Sequence, residues 1–235
     1  MGEGFSFQVK GLPLIKFQDE DKIKSLQSGK LYAKTLEYYR KREEETGDCK
    51  VGDRYEAMIH INDASIQFQD TGETISVNDS LFRTSESNDF VFCMFGINLT
   101  FGKFRFTDEQ KEKMLSFGDT ALLILDSGEF IHRVKAAAEK ANYRIYFNSV
   151  QYFNPNVDNG NMLISLLDGM WNIAFWKRDS YAYQQEVRFV FAPSDNNIDH
   201  IELDIGDISD ISTIISAKSV LSSITEKVLP SEAES

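Results

Sequence analysis

The spacing of apolar positions changes several times along the chain, and each change marks an element. Residues 5–10 alternate apolar and polar and predict a first strand, stopped by Gly11 and Pro13. Residues 14–17 predict a second short extended piece. Asp19 or Asp21 then caps a short helix that carries Ile23 and Leu26 and ends at Gly29. Leu31-Tyr32-Ala33 returns to extended structure. Residues 35–45 have a helical composition, ended by Thr46-Gly47-Asp48, and residues 48–53 form a polar loop. Residues 55–68 predict one or two strands, with a hairpin turn at Asp70-Thr71-Gly72-Glu73 before Ile75-Ser76-Val77.

The second half is patterned more strongly. Residues 85–89 read as a polar loop, and residues 90–95 are apolar on both faces, as a central strand requires. Thr107 followed by Gln110 fits a capping box and predicts a helix to Phe117, stopped by Gly118. Residues 120–126 predict a second buried strand. Residues 127–142 carry Phe130, Ile131, Val134 and Ala138 on one helical face. Residues 144–153 read as one strand closed by Asn154-Pro155-Asn156. Residues 161–175 read as a buried helix, and residues 176–179 as a loop or helix end. Residues 185–191 place Val187, Phe189 and Phe191 on one side and Arg188 and Val190 on the other, a strand ended by Pro193. Ile201, Leu203 and Ile205 form a further strand. A last helix is predicted over 217–228, before a frayed tail at 230–235.

Strands and helices intermix without a dividing linker or repeat. The expected fold is therefore α+β: a single domain over 1–229 with a mixed, largely antiparallel curved sheet and flanking helices, and a disordered tail at 230–235. Hydrophobic residues at 42% supply a core without staples. The 25 Lys+Arg against 37 Asp+Glu give a net charge of −12, which disfavours non-specific binding to nucleic acid or anionic membranes. No apolar run is long enough to span a membrane, and the N-terminus carries no secretory pattern. Cys49 in a polar loop and Cys93 in an apolar run predict reduced thiols and a cytoplasmic protein.

No P-loop, dinucleotide fingerprint or nucleophile elbow is present, and His60, His132 and His200 are scattered, so no metal site is expected. Asp48, Asp53 and Glu56 lack the alternation of a calcium loop and read as a solvated loop. Gln184-x-Glu186 lies at the start of a predicted strand, where residues two apart face the same way and can share a cleft. The competing reading pairs Glu186 with Arg188 as a solvated or half-buried ion pair. Tyr32 and Tyr38 are candidates to stack on a planar ring, and Arg40 to clamp a phosphate, although aromatic stripes usually pack in a core.

The short helix followed by Gly29-Lys30-Leu31-Tyr32, Leu36-Glu37-Tyr38-Tyr39-Arg40 and Gly52-Asp53-Arg54-Tyr55-Glu56 resembles in layout a group of uncharacterised bacterial and phage proteins. Phe90-Val91-Phe92-Cys93-Met94-Phe95 and Tyr183-Gln184-Gln185-Glu186-Val187-Arg188-Phe189 belong to the same likeness. That likeness, with the acidity, implies a phage or mobile-element type protein that binds a protein partner, as an inhibitor of a host factor would. Gln184-x-Glu186 also resembles the Gln-x-Glu motif of the ADP-ribosyltransferase fold. This second resemblance implies NAD or a nucleotide as ligand, Glu186 as the catalytic carboxylate with Gln184 beside it, and Arg40 or Arg54 as the early arginine that holds NAD. The central strand at 90–95 lacks that family's serines, although Thr84-Ser85 lies shortly before it. A third expectation is a structural domain with no small-molecule site.

Overall fold

A computed structural model of the chain describes residues 8–48, 50–82, 89–98, 103–157, 160–192 and 198–226. In chain order the elements are β1 (Leu14–Gln18), α1 (Glu20–Gln27), β2 (Lys30–Thr35), α2 (Leu36–Thr46), β3 (Ile59–Gln67), β4 (Thr74–Phe82), β5 (Phe90–Gly96), β6 (Lys103–Arg105), α3 (Asp108–Leu115), β7 (Thr120–Ile124) and α4 (Ser127–Lys140). The second half adds β8 (Arg144–Ser149), β9 (Gln151–Phe153), α5 (Gly160–Ser165), β10 (Trp176–Arg178), β11 (Glu186–Ala192), β12 (His200–Asp204), β13 (Ser212–Ser216), α6 (Ala217–Leu221) and β14 (Ile224–Glu226). The 3-10 segments are Leu166–Asp168, Met170–Phe175 and Asp179–Gln184.

The fold is α+β, built on an eight-stranded sheet whose described pairings are all antiparallel. The apolar strand β5 lies at its centre because both of its faces are covered. On one flank β11 pairs along it from Glu186↔Phe95 to Phe191↔Phe90. Two strands share the other flank. β1 pairs only at Ile15↔Phe95 and Leu14↔Gly96, and β2 only at Lys34↔Val91 and Thr35↔Phe90. Beyond these points the sheet divides. One wing continues through β1, β7 and β13, the other through β2 and β12. Residues 92–94 of β5 therefore face a gap between the wings, and α1 connects β1 to β2 beside it.

Three apolar clusters hold this frame. Leu14, Leu122, Phe189, Phe130 and Val134 form part of the largest, which seats α4 and α1 on one face. A fully buried side chain of this size contributes about 1.5–3 kcal/mol relative to exposure. Ile15, Phe17, Phe95 and Phe106 pack on α3 and α6 on the other face. Val91, Val190, Phe175 and Trp176 form the third, under the 3-10 segment. Gly29 is a geometric necessity: its φ is +103°, and a Cβ there would lie 2.6 Å from the Gly206 carbonyl. That close approach lets α1 end and β2 begin alongside β12.

Several expectations are corrected. The strand predicted over 144–153 breaks at Val150: β8 pairs with β11, whereas β9 pairs in parallel with β10. The helix predicted over 161–175 is one short α-helix and two 3-10 segments, and Leu163, Ile164 and Leu167 are exposed. Gly169 at φ 147° interrupts it, the Trp171 ring stacks on Tyr146 at 4.3 Å, and Asn172 donates to the Ser165 carbonyl. Residues 176–178 are a strand instead of a loop or helix end. The last helix stops at Leu221, and Ile224–Glu226 pairs with β6. Strands β6 and β13 lie where no element was predicted. Lys10 forms only an isolated bridge to Asp126. Residues 5–7 of the first predicted strand, the loop 85–88, Thr84-Ser85, Cys49, Pro193 and the tail at 230–235 lie outside the described residues. Among the described residues no helix is long and apolar enough to cross a membrane.

Candidate functional site

The division of the sheet opens a cleft of about 770 Å³. Its walls come from β1 and α1 on one side, and from β2 and the start of α2 on the other. Phe92 and Cys93 lie at the gap, and Gln184, Glu186 and Arg188 reach it from β11 and the turn before it. Lys16 bridges the gap itself. Its Nζ donates to the Cys93 carbonyl at 2.7 Å, an acceptor that a strand would otherwise have engaged.

The cleft floor is a buried chain of alternating charges. Glu186 Oε1 accepts from Lys177 Nζ at 2.6 Å, and Oε2 accepts from Arg188 Nε at 2.7 Å. Arg188 then grips Glu56 with both terminal nitrogens, at 2.6 and 3.1 Å. Lys177 also donates to Gln184 Oε1 at 2.8 Å, and Gln184 Nε2 donates to the Lys50 carbonyl at 2.8 Å. Burial alone would push the Glu186 carboxyl up, yet Arg188 and Lys177 hold it far below the usual carboxylate range. Burial likewise opposes the charge on Lys177, and Glu186 with Glu56 overcomes it, so its ammonium is held charged. Burial pushes the Cys93 thiol up to about 12, and Glu186 adds to the shift.

A second network fixes the loop that brings Lys50 and Glu56 to the site. Arg178 Nε donates to Asp53 Oδ1 at 2.7 Å, and its Nη2 reaches Glu43 on α2 at 2.5 Å. Tyr181 donates to the Gly52 carbonyl at 2.6 Å. Asp53 and Glu56, expected in a solvated loop, are thus 0% and 1% exposed, because two arginines from the β10–β11 region neutralise them.

The remaining wall is basic. Eight Lys and Arg residues line the cleft against four Asp and Glu, in a chain where acids outnumber bases. Lys34 pairs with Asp199 at 3.1 Å and Arg42 with Asp48 at 2.7 Å. Lys16, Lys22, Lys30 and Lys50 line the cleft without a carboxylate partner among the described residues. The arrangement therefore concentrates positive potential in one concavity of an acidic surface.

Of the residues singled out in the sequence, Glu186, Gln184, Tyr32 and Tyr38 all line this cleft. Gln184 reaches it by a different route from the one expected. It ends a 3-10 segment, and Gln185 follows at φ 39°, so strand alternation does not relate it to Glu186. The Glu186–Arg188 pair forms as anticipated, but fully buried. The tyrosine rings make contacts within the fold: Tyr32, still 44% exposed, stacks on His200 at 5.0 Å, and the Lys34 ammonium lies 5.6 Å from the Tyr32 centroid and 5.0 Å from that of Tyr38. Arg40 is buried beneath the cleft and donates to the Glu56 carbonyl at 2.8 Å. Arg54 is exposed, with its guanidinium over the Tyr55 ring, and is not part of the lining. Sequence reasoning missed Lys16, Lys177 and Glu56 as site residues. For Lys16 a signal existed, a lone cation within Leu14-Ile15-Lys16-Phe17. Among the described residues no group of three or more potential metal ligands gathers. Searches of protein-family models, curated proteins and solved structures give no match to this chain.

Proposed function

We propose that the protein binds a phosphorylated small molecule in the cleft of the divided sheet. The observation that carries this reading is the excess of basic side chains in the cleft of an acidic chain, four of them lacking a carboxylate partner among the described residues. Water-facing Lys22 and Lys30 reach a ligand at the mouth, and Lys16 meets it at the gap. The volume is that of a nucleotide-sized site. NAD and nucleotides are the first ligands to try, on the resemblance of Gln184-x-Glu186 to the ADP-ribosyltransferase motif. Glu186, with both oxygens engaged, sets the positions of Lys177 and Arg188. Calorimetric titration with pyrophosphate, ATP and NAD is expected to show binding that weakens with added salt. The Lys22→Glu/Lys30→Glu double variant is expected to weaken it by about tenfold or more per lost contact. Absence of binding at low salt, or an unchanged affinity in that variant, refutes the reading.

A second reading, a protein partner, is supported by a separate observation. Leu163, Ile164 and Leu167 are 46%, 63% and 85% exposed within one short segment, and an isolated chain gains nothing from exposing them. A stoichiometric partner recovered by the wild type and lost by Ile164→Asp/Leu167→Asp is the expected result. Equal recovery by that variant removes the segment from consideration.

A further inference from the structure

The cleft holds two inward lysines in opposite electrostatic settings. Lys177 touches Glu186 and lies 4.0 Å from Glu56, so its ammonium is fixed by carboxylates. Lys16 has neither. Its only hydrogen-bond acceptor among the described residues is the Cys93 carbonyl, its Nζ lies 4.8 Å from the Phe92 centroid, and it projects from β1 where that strand leaves β5. An amine so placed is open to a ligand and is not committed to an ion pair. Desolvation is an ordinary way for a protein to convert a lysine into a nucleophile, and Lys16 is desolvated where it lines the cleft. Burial lowers its pKa and Lys22 adds to the effect. Cys93 and Glu186 oppose it in part.

We propose that Lys16 is a nucleophilic amine, and that the ligand class of the cleft is a phosphorylated aldehyde or ketone, which Lys16 holds as an imine. The proposal rests on the anion-binding reading above: Lys22 and Lys30 take the phosphate, and the carbonyl carbon reaches Lys16. A ligand of this class needs no stacking platform. In the reaction the nitrogen lone pair attacks the carbonyl carbon and a C–N bond forms. The C=O π pair moves to oxygen, which gains a proton as nitrogen gives one up. The carbinolamine then loses its hydroxyl group and a proton as water, and the nitrogen pair closes the C=N bond. Aldehyde and amine give imine and water, with no change in oxidation state. The neutral imine has no N–H; on taking up one proton from solvent it carries a single N–H, which can again donate to the Cys93 carbonyl.

The test uses the full chain with pyridoxal phosphate and sodium cyanoborohydride, which reduces an imine to a stable amine, followed by peptide mapping at limiting reagent. Lys16 is expected to be labelled about tenfold or more ahead of the exposed Lys22 and Lys30. Lys16→Arg is expected to lose that label with an unchanged melting temperature, and pyrophosphate to protect the wild type. Labelling spread over the exposed lysines, with Lys16 no faster than they are, overturns the proposal even if Lys16→Arg fails to fold. The two readings fail separately. Pyrophosphate binding without Lys16 labelling leaves anion binding standing and removes the imine. Rapid Lys16 labelling by glyceraldehyde, equal to that by its phosphate ester and unprotected by pyrophosphate, overturns the phosphorylated-ligand assignment.

Discussion

Replacing Arg188 by Met tests the electrostatic account of the cleft floor directly. Arg188 is 1% exposed and is shared between Glu186 and Glu56. Methionine fills most of the stem volume but supplies no donor. Lys177 alone would then serve two buried carboxylates, one bonded at 2.6 Å and the other 4.0 Å away. Removing one partner of a buried charge network costs about 3–5 kcal/mol, because a charge is left without compensation. Arg188→Met is therefore expected to lower the unfolding free energy by about that amount in urea titrations at neutral pH, read by tryptophan fluorescence. Adding Glu56→Gln should recover part of the loss, since the orphaned carboxylate becomes neutral. The pH dependence has a definite sign. The Glu186 carboxyl is held below its ordinary value of 4.5 in the folded state. Its contribution is complete above that value and drains away as pH falls toward the folded pKa. On acidification the wild type should thus lose the Glu186 contribution, while Glu56, whose carboxyl pKa burial raises, opposes the trend as it takes up its proton, and the deficit of Arg188→Met should shrink over the same range. A loss below about 1 kcal/mol, the scale of an exposed ion pair, would refute the reasoning. So would a double variant no better than the single one.

Two further predictions concern the frame that holds the cleft open. Gly29→Ala places a Cβ 2.6 Å from the Gly206 carbonyl at a φ of +103°; it is expected to cost about 1–3 kcal/mol in thermal or urea unfolding, and a neutral substitution would contradict the close approach of α1 to β12. Thr107→Ala removes the side chain that accepts from the Gln110 amide; a loss of about 1 kcal/mol is expected, and an unchanged melting temperature would show that the capping box is not formed in solution.

Local periodicity determined much of this protein. The pattern at 90–95 identified the central strand, Thr107 with Gln110 the capped start of α3, and Phe130, Val134 and Ala138 the buried face of α4. These signals are short-range, since they depend on neighbours within one or two turns. The motif around Gln184 and Glu186 also pointed to the cleft, along with Tyr32 and Tyr38. The tertiary structure alone decided what these residues do there. Asp53 and Glu56 read as solvated because their partners, Arg178 and Arg188, are more than a hundred residues away in the chain. The breaks at Val150 and Gly169 follow from pairing with β10 and from the stacking of Trp171 on Tyr146, neither of which a local window contains. Most of all, the division of the sheet has no local signature. It exists because β1 and β2 compete for the same flank of β5, each winning only one end. That competition, a property of the assembled backbone, makes the gap and sets Lys16 into it.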